Sequence, residues 1–368
     1  MADKTPRKRR NGRSDARKVK GSQLYGAVDL GTNNCRLLIA EPKGQSFRVV
    51  DSHSQIARLG EGLHETGRLS DGAIERAVDA LSAIRGKLKN HGVGRIRCIA
   101  TEACRKAENG AEFIQRVHNE TGLTFKIITA KEEARLATIG CHDLIAKDAS
   151  SVLVVDIGGG STELSWVNGA QAVSNGFKAM VARAPIQGWV SLPVGVVTLS
   201  EAFEHITDEE ACFSAMREFA REKFASWKQI EDVKAALSCD QAHMVGTSGT
   251  VTCLAGVHLG LERYRRDKVD GTWLSREETF DVTERLRLAG LEGRAKFPTI
   301  GQERAPLMLA GCAIVQGLWD VFPCQRMRVG DRGLREGLLL SMIYGPKKKR
   351  PRRGRRGKSL PKNEGSEQ

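Results

Sequence analysis

Short apolar runs of strand length alternate along this chain with segments whose apolar residues recur at helical spacing. Residues 25–39 predict two strands joined by a tight turn, and a proline–lysine–glycine turn leads from them into a third strand over residues 46–50. Ser70 is a candidate N-cap, and the apolar positions between residues 74 and 88 follow a helical period, which predicts an amphipathic helix. This mixture of strands and helices predicts an α/β protein.

A later segment repeats this opening. The β-branched run over residues 152–155 predicts a buried strand that ends at Asp156, and a glycine-rich turn then leads into a strand over residues 163–167. The repeat predicts two similar domains with a cleft between them, one over residues 22–148 and the other over residues 149–346.

The remaining elements are predicted from shorter patterns. The Asn168-Gly169 pair predicts a type I′ hairpin, and the weakly patterned polar segment over residues 267–278 predicts a surface loop. The other predicted elements are strands over residues 96–100 and 125–128, a strand from Met244, and helices over residues 111–117, 132–145, 306–318 and 337–343 and from Val251.

The formal net charge of +14 is concentrated at the two ends of the 368-residue sequence. Residues 1–21 hold nine Lys and Arg against two Asp, and residues 347–368 hold ten against two Glu, whereas residues 22–346 hold 39 basic and 40 acidic residues. Because both tails have almost no apolar residues, we expect them to be disordered in isolation. Two roles fit their composition: a solvated, solubilising end, or a tether to RNA, DNA or polyphosphate.

Nine cysteines are scattered without a CxxC pair, so the sequence indicates neither a zinc site nor a disulfide framework, and it fits a reducing compartment. No apolar run approaches the length that spans a membrane, and no apolar stretch follows Arg9-Arg10 as a twin-arginine signal requires. We therefore expect a cytoplasmic protein without a membrane partner.

Three strand ends are followed by turns rich in glycine and small polar residues. Asp29 and Asp156 each open such a turn, and a third turn lies at residues 246–250. These residue types let the backbone turn sharply and direct its N–H groups at an anion, so two facing turns would form a phosphate clamp. No GxxxxGK[ST] motif is present, which excludes a Walker-type nucleotide site. The candidate phosphate-binding residues are Gly31, Thr32, Asn33, Gly158, Gly159, Gly160, Ser161, Ser248, Gly249 and Thr250.

The three turns resemble the phosphate loops of the exopolyphosphatase and guanosine pentaphosphate phosphohydrolase family. The resemblance covers roughly residues 24–344, and the Ser-Thr-Glu ending of the second turn is its most specific part. That family belongs to the superfamily of actin, sugar kinases and heat-shock ATPase chaperones. The resemblance therefore implies two actin-like (ribonuclease H-like) domains with an active-site cleft between them.

The resemblance also implies a general base and a phosphate contact. The family's catalytic glutamate lies in a Glu-Glu-Ala-Arg signature, which Glu132-Glu133-Ala134-Arg135 matches, so Glu133 would orient and deprotonate the attacking water. Arg105 matches the arginine that holds substrate phosphate, where a planar guanidinium suits two phosphate oxygens.

A divalent metal ion is a further implication of the resemblance. Asp156 and Glu163 match the acidic pair associated with the metal, and Asp29 could act in the same way in the first turn. Hard carboxylate oxygens suit Mg²⁺, which also bridges to phosphate. Arg304 is an additional candidate phosphate contact.

The sequence departs from the family pattern at two places. Ala130 and Lys131 stand where relatives often have Ser-Gly, and Lys131 would place a cation beside Glu133 that lowers its pKa or binds another phosphate. Residues 329–337 also differ from the usual segment near the end of the family fold. The sequence ends soon afterwards, without the helical domains of long family members, which favours a short-chain or nucleotide-sized substrate.

Three functional hypotheses follow. The leading one is a magnesium-dependent exopolyphosphatase that releases terminal orthophosphate from inorganic polyphosphate, with guanosine pentaphosphate as the alternative substrate. The second is a kinase or ATPase of the same superfamily, and the Glu-Glu-Ala-Arg segment makes this hypothesis less favourable. The third is a non-enzymatic polyanion-binding factor that uses the basic tails. A homodimer is also expected, since relatives often dimerise.

Overall fold

The computed structural model of the protein describes residues 23–346, and the two tails of the sequence lie outside the described residues. Within residues 23–346, no helix has both the length and the apolar composition needed to cross a bilayer. The strands are β1 (Tyr25–Leu30), β2 (Asn34–Lys43), β3 (Ser46–Ile56), β4 (Arg95–Ala100), β5 (Phe125–Ile127), β6 (Ser151–Ile157), β7 (Thr162–Asn168), β8 (Ile186–Leu192), β9 (Ala242–Thr247), β10 (Trp273–Ser275) and β11 (Arg326–Gly330). The helices are α1 (Leu63–Thr66), α2 (Asp71–Asn90), α3 (Glu102–Lys106), α4 (Gly110–Thr121), α5 (Ala130–Gly140), α6 (Gly169–Ser174), α7 (Gly176–Ala182), α8 (Val196–Ala202), α9 (Glu209–Ala225), α10 (Ile230–Leu237), α11 (Gly249–His258), α12 (Arg266–Val269), α13 (Arg276–Leu288), α14 (Gly290–Lys296), α15 (Ala305–Val321) and α16 (Leu334–Tyr344), with a 3₁₀ turn at His142–Leu144.

The strands form two sheets that repeat one arrangement. The first sheet has the order β3-β2-β1-β4-β5, in which β1, β2 and β3 are antiparallel neighbours and β4 and β5 run parallel to β1. The second sheet repeats this order and these directions as β8-β7-β6-β9-β11, and β10 adds one antiparallel strand at its edge. The predicted α/β fold with two similar actin-like domains is therefore confirmed.

The helix predicted after Ser70 is α2. The Ser70 hydroxyl oxygen accepts a hydrogen bond from the Ala73 backbone N–H at 3.3 Å, as an N-cap does. The apolar stripe of α2, which includes Ile74, Leu81 and Leu88, is buried in the core beside the first sheet. The helical period of the sequence thus predicted both the helix and its buried face.

Two local predictions are wrong. Asn168 does not open a hairpin, because its side chain accepts a hydrogen bond from the Gln171 backbone N–H at 2.9 Å and caps α6. The predicted surface loop over residues 267–278 contains most of α12, all of β10 and the start of α13. Its apolar residue Leu274 is buried where β10 pairs with β11.

The last helix, α16, packs against the first sheet, although the sequence assigns it to the second domain. Leu338 and Leu339 share a buried cluster with Leu136 of α5 and with Tyr25 and Ala27 of β1. The end of α16 is fixed to the same domain. The hydroxyl of Tyr344 lies within hydrogen-bond distance of two carbonyl oxygens at the turn between β2 and β3, those of Gly44 and Ser46, which share its single proton.

Helices α5 and α16 touch backbone to backbone where they cross. A Cβ atom on Gly140 would overlap the carbonyl oxygen of Gly333, and one on Gly337 would overlap the carbonyl oxygen of Leu136. Glycine at both positions permits this close approach. Since α5 carries Glu133 and α16 follows the last strand of the second sheet, the crossing joins the two halves of the chain beside the predicted base.

Candidate active site

The three predicted phosphate turns meet at one cavity of about 480 Å³. The first two turns are closed by equivalent hydrogen bonds, since the Gly31 N–H donates to the Asn34 carbonyl oxygen at 3.0 Å and the Gly158 N–H donates to that of Ser161 at 2.8 Å. The repeated fold therefore delivers two similar turns to the same space, one from each sheet.

The first and second turns lie in van der Waals contact. A Cβ atom on Gly159 would lie 3.0 Å from the Thr32 Cβ, and a Cβ atom on Gly160 would overlap the carboxylate of Glu102. Larger residues in the second turn would hold the two turns apart. The glycines are needed here because the backbone of one domain approaches side chains of the other.

The third turn ends at the start of α11. Ser248 has a φ of 123°, in a region that favours glycine, so its backbone is strained. Its hydroxyl is buried, and it has no hydrogen-bond partner among residues 23–346. The first N–H groups of a helix lack intrahelical acceptors. The first residues of α11 lie in the cavity wall, so an anion in the cavity could accept hydrogen bonds from their N–H groups.

Seven carboxylates line the cavity within the described part of the chain, and Glu133 is one of the buried ones. Burial raises the pKa of Glu133 well above its usual range, and the Glu163 carboxylate adds to the rise, whereas the Arg105 guanidinium lowers it. Burial also raises the pKa of Asp29. The seven are Asp29, Glu102, Glu133, Asp156, Glu163, Asp331 and Glu336.

Asp156 and Glu163 lie opposite each other on neighbouring strands β6 and β7. Desolvation raises the pKa of Asp156 to about 6, although the Arg36 guanidinium opposes the rise. Burial raises the pKa of Glu163 to about 7, and the Asp156 charge adds to this effect. The Ser161 and Ser191 hydroxyls both donate to Glu163 Oε1 at 2.7 Å, which fixes the orientation of that carboxylate.

Five arginines line the same cavity. Arg266 and Arg332 are held in ion pairs with carboxylates. Arg36, Arg304 and Arg335 have no carboxylate within ion-pair distance among residues 23–346. Desolvation and the nearby Arg335 and Arg304 guanidinium groups lower the pKa of Arg36, as expected where three cations gather. An anion bound in the cavity would neutralise the positive charge of these three guanidinium groups.

The cavity wall contains every predicted site residue except Arg105. Arg105 lies behind Glu133, where its Nη1 donates to Glu133 Oε2 at 3.1 Å and to the Ile128 carbonyl oxygen at 2.9 Å. Lys131 is exposed at the start of α5 and does not line the cavity.

The cavity wall also contains charged residues that the sequence did not indicate as site residues, among them Arg36, Glu102 and Arg335. Arg36 lies opposite Asp29 on the neighbouring strand, so the predicted strand pair could have located it. Glu102 follows the end of β4, at the same edge of the sheet as the first turn. Arg335 carries no comparable signal, because the direction in which α16 enters depends on its packing against α5.

The donor set fits a magnesium ion that is completed by substrate. Within residues 23–346, no group of three or more His, Cys, Asp or Glu side chains is arranged to hold a metal ion by itself. Mg²⁺ at phosphoryl-transfer sites takes one or two carboxylates and fills its remaining positions with water and phosphate oxygens. Asp29 Oδ1 is buried in the wall without a hydrogen-bond partner in the described chain, so one such oxygen is available.

The repeated sheets and the paired turns place the protein in the actin-like class of two-domain proteins. Within that class, the model of the Ppx/GppA phosphatase family matches residues 38–344, and the chain belongs to this family. The resemblance found in the sequence is thereby confirmed, as is its implication of a hydrolase of the phosphatase type.

Solved structures agree with this assignment. The Ppx/GppA family member of Aquifex aeolicus is 30% identical, with a TM-score of 0.69 over 87% of this chain and 97% of that chain. An exopolyphosphatase-like protein is 27% identical, with a TM-score of 0.73 over 88% and 98% of the two chains. An exopolyphosphatase from Cytophaga hutchinsonii, 23% identical, has a TM-score of 0.76 over 88% and 99% and supports the fold.

Proposed function

We propose that the protein hydrolyses the terminal phosphoanhydride bond of inorganic polyphosphate, with guanosine pentaphosphate as the alternative substrate. The observation that carries this proposal is the buried carboxylate of Glu133 in a cavity whose wall also contains all three phosphate turns. A carboxylate with a raised pKa can accept a proton near neutral pH, and backbone N–H groups can hold phosphate oxygens. Membership of the Ppx/GppA family supports a phosphatase activity, and we propose polyphosphate as the substrate of that activity.

In this reaction Glu133 removes a proton from water as the water oxygen attacks the terminal phosphorus. The new P–O bond forms as the bridging P–O bond breaks, and the shortened chain leaves with the electron pair of the broken bond. Glu133 then releases its proton to solvent. Such a transfer depends mainly on positioning and on charge neutralisation, which the N–H groups of the three turns would supply to the terminal phosphate.

The cavity also has groups for the rest of a polyanionic substrate. If the terminal phosphate lies at Glu133, the following phosphates must lie elsewhere along the wall. Arg36, Arg304 and Arg335 are the wall cations without an ion-pair partner in the described chain, so they would bind those phosphates.

The proposed reaction also uses a divalent cation, for which Mg²⁺ is the leading candidate. One or two of the carboxylates of Asp29, Asp156 and Glu163 would hold it, with water and phosphate oxygens in its remaining positions. When bound, it would neutralise phosphate charge and orient phosphate oxygens.

We expect magnesium-dependent release of orthophosphate when the full-length protein is given short polyphosphate, long polyphosphate and guanosine pentaphosphate in parallel. Chelator should abolish the release, and the ratios of kcat/KM would rank the three substrates. Silence on all three would contradict the hydrolase and favour a polyanion-binding factor. Transfer of phosphate from ATP to a sugar would instead favour a kinase of the same superfamily.

The basic tails of the sequence are proposed to bind long polyanions such as polyphosphate or RNA. Shortening the chain to residues 22–346 should leave kcat on short polyphosphate unchanged and remove most of the salt-sensitive affinity for long polyanions. Titration of each form with long polyphosphate at low and high salt measures this. A full-length variant whose tail Lys and Arg are changed to Gln controls for chain length. Loss of kcat at saturating short substrate would contradict the prediction, because the tails would then belong to the catalytic site.

A further inference from the structure

Arg105 lies outside the cavity wall, and its contacts indicate a role different from phosphate binding. We propose that Arg105 is a positioning residue, which holds the Glu133 carboxylate in its ionised, reactive orientation and does not contact substrate phosphate. This inference rests on the proposed hydrolytic function and concerns the same site.

The contacts of Arg105 join three elements behind the base. Arg105 belongs to α3, which directly follows β4, and its Nη1 donates both to the Ile128 carbonyl oxygen just after β5 and to Glu133 Oε2 in the first turn of α5. The first bond fixes the guanidinium to the backbone, so the second fixes the Glu133 carboxylate relative to the first sheet. The side chain of Glu133 is 10% exposed and that of Arg105 is 26% exposed, which places the bond away from bulk water.

The side-chain charges around Glu133 act on its protonation in opposite directions. The carboxylates that act on it come from three strands: Glu163 on β7, Asp156 on β6 and Asp29 on β1. Each of them favours the protonated form of Glu133, as does burial, and a protonated carboxyl cannot accept a proton from water. Among the described side chains with the largest effects on Glu133, Arg105 is the cation that opposes them.

Cations on α5 and beside it do not replace Arg105. Arg135 and Arg97 are paired with Glu132 on the outer side of the helix, and Lys131 is exposed. The charges of Arg36 and Arg335 instead lower the pKa of Asp29. Loss of Arg105 would therefore leave Glu133 among like charges without its hydrogen-bonded cation.

The test compares Arg105→Gln and Arg105→Lys with wild type in steady-state kinetics across about pH 5 to 9. We expect the acid limb of kcat/KM in Arg105→Gln to move to higher pH by about one unit or more, because removing the cation raises the pKa of Glu133. KM should change by less than about threefold, since no substrate contact is lost. Arg105→Lys keeps the positive charge but loses the planar guanidinium with its fixed N–H donors. The acid limb of kcat/KM in this variant should therefore stay near that of wild type while kcat falls.

Arg116→Gln is the matched control. Arg116 also bridges two acceptors, the carboxylates of Glu120 and Glu75, but it does so on the surface of α4. Its replacement should move neither the acid limb nor KM. Thermal unfolding of all variants shows whether a kinetic change comes from displacement of the Glu133 carboxylate or from loss of the fold.

A rise of about tenfold or more in KM with an unmoved acid limb would overturn the inference, since Arg105 would then bind substrate. Carboxyl titration by ¹³C NMR, with the Glu133 signal assigned from Glu133→Gln, adds a readout that needs no turnover. An unchanged Glu133 titration in Arg105→Gln overturns the inference. A Glu133 titration that moves upward in Arg105→Gln, in a protein that hydrolyses none of the substrates, supports the coupling and overturns the proposed function alone.

Discussion

Changing Glu133 to Gln lowers kcat for phosphate release by about two to four orders of magnitude, the usual cost of losing a general base. The amide has nearly the same size as the carboxylate, and its oxygen can still accept a hydrogen bond from Arg105, so the fold should survive. The amide cannot accept the proton of the attacking water, and that step therefore fails. Orthophosphate release at saturating substrate, measured beside thermal unfolding, gives the comparison.

Glu132→Gln provides the matched control one residue away. The Glu132 carboxylate accepts hydrogen bonds from the Arg135 guanidinium at 2.8 and 3.0 Å and does not line the cavity. The same chemical change there should leave kcat within a few-fold of wild type. Near wild-type turnover in a folded Glu133→Gln protein would rule Glu133 out as the base. A comparable loss in both variants would indicate a general effect of charge on α5.

Adding one methyl group at Gly337 should destabilise the fold by about 3 kcal/mol or more, at the upper end of the usual cost of overpacking. The new Cβ would meet the Leu136 carbonyl oxygen, and backbone atoms cannot move aside as a flexible side chain can. Gly140→Ala should behave alike, because its Cβ would meet the Gly333 carbonyl oxygen. Since Leu136 and Gly140 belong to the helix that carries Glu133, any surviving fold should also lose activity.

Urea unfolding at equilibrium measures this effect, and Gly86→Ala supplies the contrast. Gly86 is an exposed residue inside α2, and a Cβ there would meet no atom within 4 Å. Alanine at that position should stabilise the helix by about 0.5–1 kcal/mol, because it reduces the conformational freedom of the unfolded chain. Equal unfolding midpoints for Gly337→Ala and wild type would show that the two helices can separate without cost.

Local patterns predicted the parts of the site that follow strand ends. Asp29, Asp156 and the three turns were found because a strand run followed by glycine and small polar residues is a local signal. The predicted turns do line one cavity. The roles of Glu133 and of the metal ligands came from family resemblance, and these roles stay predictions.

What the sequence missed depends on contacts between distant segments. The crossing of α5 and α16 joins residues that are almost two hundred positions apart, so no local period reports that Gly140 and Gly337 must lack a side chain. The position of Arg105 behind the base has the same origin, because three elements must assemble before its two acceptors are defined. β10 was missed because three residues are too few to show an alternating pattern.

The packing of α16 onto the first sheet brings the two ends of the described chain together. Tyr25, at the start of β1, pairs with Ala40 of β2, and the Tyr344 hydroxyl reaches the turn just beyond that strand. The two basic segments of the sequence are therefore joined to the same end of one domain. If both segments bind polyphosphate as proposed, a strand bound by one would be presented to the other at high effective concentration, so their combined avidity should far exceed either affinity. Removing either segment alone would cost most of that avidity.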